Sequence, residues 1–235
     1  MKVSPELSII ILCYRSGENI IPFAEKIHEL TRSLTDSYEI ILVGNYIENS
    51  NDHTEAIVRE IAAKEDNFVA VCKPKKGMMG WDMKEGLKTA KGDYLCVIDG
   101  DSQFPIENIE KCFNLIKSSS FGLVKTFRTT RGDGIYRKIL SATYNWIFSI
   151  LFPKVKSKDI NSKPKIMTRE VYEKMRLDSD DWFIDAEIML NVERLNVEFY
   201  EFPTHFRELK DRSSFVKFSA IFEFLKNLIL FKIRR

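Results

Sequence analysis

The chain has 235 residues, 44% of them hydrophobic, which is enough for one large domain with a covered core and excludes a mainly disordered chain. Its formal net charge is only +2, yet residues 121–176 carry 13 basic and 4 acidic side chains while residues 177–204 carry 1 and 8, so basic and acidic surface are segregated. Four scattered cysteines without a C-x-x-C pair and three histidines exclude a zinc ribbon or disulfide framework and favour a reducing compartment.

Eight mostly apolar residues, Leu7–Tyr14, are too few for a signal peptide, and no window reaches the roughly 20 apolar residues of a spanning helix. The isoleucine-rich run Leu7–Cys13 predicts a first strand. Ile20, Phe23, Ile27, Leu30 and Leu34 keep a helical period through a first helix over Glu18–Arg32. A strand over Glu39–Val43 follows, then a helix to about Lys64 with Asp52 as cap and Glu55 three residues on. Phe68–Cys72 is a third strand, Asp82–Ala90 a third helix stopped by Gly92, and Tyr94–Ile98 a fourth strand. Pro105 stands near the start of a fourth helix whose apolar face is Ile109, Phe113 and Ile116, and Gly122–Phe127 is a fifth strand. Short apolar strands alternating with helices predict an α/β fold with a mostly parallel central sheet flanked by helices.

The pattern changes after residue 127. An apolar helix over 135–152 ends at Pro153; Lys154–Lys165 reads as a polar loop; Thr168 caps a short helix, Arg169–Met175; a further helix lies within Asp180–Arg194; Val197–Phe202 alternates as a strand. The chain closes in the apolar segment Phe215–Ile233, interrupted by charges and followed by Arg234 and Arg235. This predicts an amphipathic helix lying at a membrane surface rather than crossing it. Charge alone would admit nucleic acid as a partner, but no helix-turn-helix, zinc-finger or sheet-aromatic signature accompanies it, so no nucleic acid is expected.

The chemistry concentrates after the fourth strand, at Asp99-Gly-Asp-Ser-Gln103. Two carboxylates two residues apart, with a turn at Gly100, can converge on one ion. Hard oxygen ligands with open positions suit Mg²⁺ or Mn²⁺, held by Asp99, Asp101 and Gln103. Such an ion neutralises charge on a departing diphosphate. Arg128 and Arg131 follow the fifth strand at the same rim and can grip a phosphate.

Asp99-Gly-Asp-Ser-Gln-Phe-Pro105 resembles the Asp-x-Asp-x-Gln-x-Pro signature of family 2 glycosyltransferases of the dolichyl-phosphate mannose synthase type. Ile9–Ile20, Asp52-His-Thr54, Lys76-Gly-Met-Met-Gly80 and Gly86-Leu-Lys-Thr-Ala-Lys-Gly-Asp93 are similar to further ordered motifs of that family. The likeness is strong over residues 7–130 and thinner over 131–215. It implies a GT-A nucleotide-diphospho-sugar transferase fold and a UDP- or GDP-linked sugar donor. It also implies a polyprenyl phosphate or other lipid-linked acceptor, inverting transfer, and peripheral attachment to the cytoplasmic side of the membrane. A homo-oligomer is compatible with it.

By the same resemblance Glu18, Asn45, Lys76, Gly77, Asp99, Arg207 and Arg212 are expected on the donor side, Arg128 and Arg131 on the acceptor phosphate, and Asp101 at the reaction centre. Asp185 is expected there too, and would be the general base if the acceptor were instead a saccharide or lipid hydroxyl. Asp185 and Glu187 are two apart on a helix, so only one is expected to enter the site. The expected division is a catalytic domain over 1–214, with a donor half to about 127 and an acceptor half over 128–214, followed by the membrane helix 215–235.

The sequence departs from the family pattern where two aspartates are replaced by Gly44 and Asn45, where Tyr46–Ser50 lengthens the loop, and where a Ser-Gly-Phe-Arg segment is replaced by Ser162-Lys-Pro-Lys165.

Overall fold

The computed structural model describes residues 4–131, 135–207, 226–228 and 231, with the side chains of 130–131 and 135–141 left aside. Its strands are β1 (Leu7–Leu12), β2 (Tyr38–Val43), β3 (Phe68–Val71), β4 (Tyr94–Asp99), β5 (Leu123–Arg131), β6 (Lys165–Thr168) and β7 (Phe199–Phe206). Its helices are α1 (Ile20–Leu34), α2 (Thr54–Lys64), α3 (Met79–Thr89), α4 (Glu107–Lys117), α5 (Ile135–Leu151), α6 (Arg169–Lys174) and α7 (Ile184–Arg194). A short 3-10 turn, Gly17–Asn19, precedes α1.

The strands form one sheet in the order β3-β2-β1-β4-β6-β5-β7. β1 pairs in parallel with β2 and β4, β2 with β3, and β5 with β7; β6 is antiparallel to both β4 and β5. The chain crosses from β1 to opposite sides of the sheet, so the carboxyl ends of β1, β2 and β4 border a topological switch point, where ligands of open α/β sheets bind.

Both faces are covered, as continuous apolar strands require. On β1, Ile10 and Leu12 join Met83, Leu87, Phe148 and Ile184 on one face, while Ile9 and Ile11 join Phe23, Ile27, Val58 and Phe113 on the other. Each fully buried Ile or Leu contributes about 1.5–3 kcal/mol relative to exposure, so the sheet's position is fixed by its two faces together. The expected cap Thr168 accepts a hydrogen bond from the Val171 N–H (3.3 Å). Asp52 instead accepts from the N–H and hydroxyl of Thr54 (3.1 and 2.5 Å), and the Thr54 hydroxyl accepts from the Gly17 N–H (2.9 Å). The four cysteines are free, and burial raises the thiol pKa of each.

Helix α3 lies so close to the sheet that a Cβ on Gly86 would stand 2.4 Å from Ile10 Cγ2 and 2.8 Å from Val43 Cγ2. Both atoms belong to stiff β-branched side chains on buried strands. Gly86→Ala gains about 1 kcal/mol in helix propensity but overpacks at a cost of about 1–3 kcal/mol or more. A lower urea midpoint at unchanged slope is the expected result; a raised midpoint would contradict this packing.

β5 runs on to Arg131, so Arg128 and Arg131 lie within the strand rather than after it, and β7 spans Phe199–Phe206; two further elements differ from the sequence expectation. β6 begins at Lys165, at the end of the stretch expected to be a polar loop, because the lysines there turn inward to buried acids rather than out to water. Helix α3 begins at Met79 rather than Asp82, because the 178–181 loop supplies acceptors for its first turn: Gly80 N–H donates to Asp181 O (3.0 Å) and Trp81 N–H to Asp180 O (3.1 Å). Among the described residues no helix is long and apolar enough to cross a membrane. Most of the expected membrane helix lies outside the described residues. Within it, Leu228 is buried, Phe231 packs on Phe152 and Phe183, and the Asn227 amide donates to Asp181 (2.5 Å).

Candidate active site

The acidic loop leaves the buried strand β4 at the sheet's carboxyl edge. The Gly100 N–H donates to Leu12 O (2.9 Å) and the Ser16 hydroxyl to Gly100 O (3.3 Å), tying this loop to the β1–α1 loop. A Cβ at Gly100 would lie 2.9 Å from Ile20 Cδ1 and 3.0 Å from Leu12 O, so a side chain at this turn would have to shift Ile20 and press on the β1 backbone. Ser102 then turns the chain with φ +60°, and the Gln103 N–H donates to Asp101 Oδ1 (3.1 Å). Gln103 is clasped to the end of β7 from both sides: Arg207 N–H donates to Gln103 O (2.9 Å) and the Gln103 amide NH₂ to Arg207 O (3.0 Å). The clasp brings the exposed Arg207 beside the acidic loop.

Asp99 and Asp101 retain access to solvent at this rim, and the Asp99 side chain is 25% exposed. Two carboxylates with a side-chain amide form an oxygen set with too few ligands to encage an ion by itself. That matches a Mg²⁺ or Mn²⁺ site completed by water and phosphate oxygens. No group of three or more His, Cys, Asp or Glu side chains that could hold an ion occurs among the described residues.

Behind Asp99 lies a charged cluster that the sequence did not reveal. The Lys163 ammonium stands 3.3 Å from Asp99 Oδ2 and 3.2 Å from Asp185 Oδ2, and Lys165 stands 2.6 Å from Asp185 Oδ1. Asp185 is 0% exposed and both lysines nearly so. Burial by itself would raise the Asp185 carboxyl, but the charges and hydrogen bonds of two lysines outweigh it and hold the pKa below the ordinary range. One carboxylate shared by two ammonium groups leaves one of them poorly compensated, and burial depresses Lys165 to about 8. Glu187 points elsewhere: it accepts from the N–H groups of Asp178 (3.1 Å) and Ser179 (3.0 Å) and fixes that loop. Of Asp185 and Glu187, Asp185 is the one linked to Asp99, through Lys163. Its expected part as a general base is corrected, however. A buried carboxylate with both oxygens engaged and a depressed pKa has neither the access nor the basicity to take a proton from a hydroxyl.

Arg128 is a second correction. Its guanidinium grips Asp159 through two hydrogen bonds (2.6 and 2.8 Å), and both side chains are 8% exposed. Burial opposes the charge of Asp159, but Arg128 and Lys125 hold it down to about 2. This arginine therefore ties β5 to the 154–165 segment instead of facing an acceptor. Arg131 ends β5 opposite Phe206, and Arg212 lies outside the described residues.

On the β1–β2 side of the rim, Asn45 is buried. Its amide donates to Asp82 Oδ1 (2.9 Å), and its carbonyl oxygen accepts from the Lys73 N–H (2.9 Å). Lys75 pairs with Asp82 and stands 4.1 Å over the Tyr14 ring. Burial pushes the Asp82 carboxyl up despite that lysine. Asn45 thus serves as a link between loops. Glu18 and Lys76 are exposed. At Gly77 the space a side chain would need is filled by Asp180 and Trp81, each with an atom 2.8 Å from an ideal Cβ, so the close approach at this glycine is to the protein's own 178–181 loop.

Lys163, Lys165, Asp82, Lys75 and Asp159 were not anticipated. No local signal pointed to the two lysines: Lys165 opens β6, while Lys163 lies before it, so strand alternation does not pair them.

The model of "Glycosyl transferase family 2" matches residues 8–179. The dolichol-phosphate mannosyltransferase of Pyrococcus furiosus is 28% identical over 229 residues, covering 95% of this chain and 62% of that protein. The undecaprenyl-phosphate 4-deoxy-4-formamido-L-arabinose transferase of Pectobacterium atrosepticum is 29% identical over 140 residues, 59% of this chain and 42% of that one. The chain thus spans about two to three fifths of the length of these relatives. Among solved structures, glucosyl-3-phosphoglycerate synthase from Mycobacterium tuberculosis, in complex with Mn²⁺, UDP and phosphoglyceric acid, superposes with a TM-score of 0.71 at 18% identity. The match covers 96% of this chain and 76% of that one. The likeness establishes the expected GT-A type of α/β fold.

Proposed function

The chain belongs to glycosyl transferase family 2, and on that premise we propose that it transfers a sugar from a nucleoside diphosphate-sugar to a polyprenyl phosphate at a membrane surface, with inversion at the anomeric carbon. The observation that carries the donor half is the Asp99–Gln103 loop at the switch point, clasped to Arg207. A Mg²⁺ or Mn²⁺ ion shared by Asp99, Asp101 and the Gln103 amide oxygen would offset charge on the departing diphosphate. Arg207 presents a cation to the same phosphates, and we place Arg212, Glu18 and Lys76 at the donor's border. In the transfer, a phosphate oxygen of the acceptor bonds to the anomeric carbon as the bond to the nucleoside diphosphate breaks. That oxygen is already anionic and needs no strong base, which agrees with a buried, paired Asp185. Arg131 is the arginine we assign to the acceptor phosphate. The relatives named for dolichol and undecaprenyl phosphates support this choice of acceptor.

Helix α5 and the lysines after it support contact with a membrane. Trp146 and Ile150 are 64% and 57% exposed on one face of that helix, and the exposed Lys154 and Lys156 come next. Apolar side chains beside lysines suit an anionic lipid surface. We keep the division into a donor half to about 127, an acceptor half to 214 and a membrane segment 215–235.

The test is transfer from labelled UDP- and GDP-sugars with and without polyprenyl phosphate. Label entering lipid only when polyprenyl phosphate and a divalent ion are both present is the expected outcome. Equal transfer to a saccharide or to the corresponding polyprenol would contradict the acceptor assignment.

A further inference from the structure

Lys163 leaves the segment before β6 and ends between two carboxylates that belong to different elements, Asp99 at the end of β4 and Asp185 on α7. Asp185 already has Lys165 at 2.6 Å, so the second ammonium of the cluster depends on Asp99 for its compensation. The Lys163 side chain is 2% exposed, against 25% for Asp99, so the lysine reaches Asp99 from the protein side and leaves the solvent side open. A divalent ion arriving at Asp99 from solvent meets a carboxylate whose charge is already partly claimed, with a fixed cation behind it. Repulsion across so short a distance in a partly dry setting is only partly screened.

We propose that Lys163 is a built-in counter-ion that keeps Asp99 and Asp101 from holding a divalent ion tightly until a nucleoside diphosphate is present. This rests on the ion-dependent reading of the acidic loop. The diphosphate brings the negative charge that the ammonium has taken from the site, so ion and nucleotide raise each other's affinity, as linkage requires. Lys163 is a positioning residue: it sets the charge on Asp99 and holds its carboxylate, without touching the reacting atoms.

The experiment is a titration of Mn²⁺ into nucleotide-free protein, read as loss of the free-ion electron paramagnetic resonance signal, repeated with saturating UDP and GDP. Lys163→Met is expected to bind Mn²⁺ about tenfold more tightly than the parent without nucleotide, and to show a smaller gain in affinity on adding nucleotide. Lys163→Arg, which keeps the cation, is expected to stay within about twofold of the parent. Lys165→Met, which removes a buried ammonium from Asp185 but not from Asp99, is expected to stay close to the parent too. Lys163→Gln serves as the neutral variant should the methionine variant not fold by near-ultraviolet circular dichroism. A neutral variant that binds Mn²⁺ no more tightly than the parent overturns the inference, and so does an arginine variant as tight as the neutral ones. If the parent itself binds no Mn²⁺ even with nucleotide, the ion-dependent reading falls and takes this inference with it; parent binding with unresponsive variants defeats the inference alone.

Discussion

Asp101→Ala is expected to lower turnover by about a thousandfold or more, the scale on which a positioned charge-stabilising group acts, with the fold intact. The carboxylate sits on a solvent-accessible turn, where it accepts from the Gln103 N–H. Its removal withdraws that local hydrogen bond from a loop still held by the Leu12–Gly100, Ser16–Gly100 and Gln103–Arg207 contacts. A stability loss of about 1 kcal/mol is the scale for such a bond. Steady-state kinetics with a saturating divalent ion, alongside a thermal melt, check both halves. Activity within twofold of the parent would remove Asp101 from the chemistry, and a collapsed melt would show that the loop is structural.

The second large effect is on stability. Asp185→Asn leaves two buried lysines without their shared carboxylate, and breaking a buried ion pair from one side costs about 3–5 kcal/mol. For a chain of this size that lowers the melting temperature by about 10 °C. Adding Lys165→Met to the same chain removes the stranded ammonium, so the double variant is expected to melt above Asp185→Asn alone. A double variant no better than the single one would contradict this reading of the cluster. The pH dependence comes from the direction of the shift. Asp185 has a folded pKa below its unfolded value near 3.8. Its stabilisation is therefore present above about pH 4 and is lost as pH falls through the folded pKa. Lys163 is raised above its ordinary 10.5: burial opposes its charge, but Asp185 and Asp99 outweigh burial. Its stabilisation is complete below that value and is lost as pH rises through the folded pKa. The Asp185→Asn penalty is thus expected to be full near neutral pH and to vanish in strong acid.

The parallel half of the fold was legible because its signals are local. β1 to β4 are short, mostly apolar runs with helical periods between them, and burial on both faces follows from strands such as Leu-Ser-Ile-Ile-Ile-Leu. The Asp99–Gln103 loop was legible for the same reason, since its residues adjoin in sequence. The second half was harder. Lys163 and Lys165 read as solvated charges in a lysine-rich loop, but at and just before the start of β6 both are buried against Asp185, a partner some twenty residues away. Arg128 sits at the expected rim, yet Asp159, 31 residues on, takes its guanidinium. Gly77 is expected on the donor side, yet the space beside it is taken by the loop at Asp180. In each case the partner was set by tertiary packing that no local pattern encodes.

The most direct test of the central claim is anomalous scattering at the manganese edge from crystals grown with Mn²⁺ and a nucleoside diphosphate. The predicted result is a single strong peak at the carboxyl end of β4, in contact with the Asp101 carboxylate and with oxygens of the diphosphate. A nucleotide bound at this rim with no peak beside Asp99 and Asp101, in crystals that still bind the nucleotide after chelation, would contradict it.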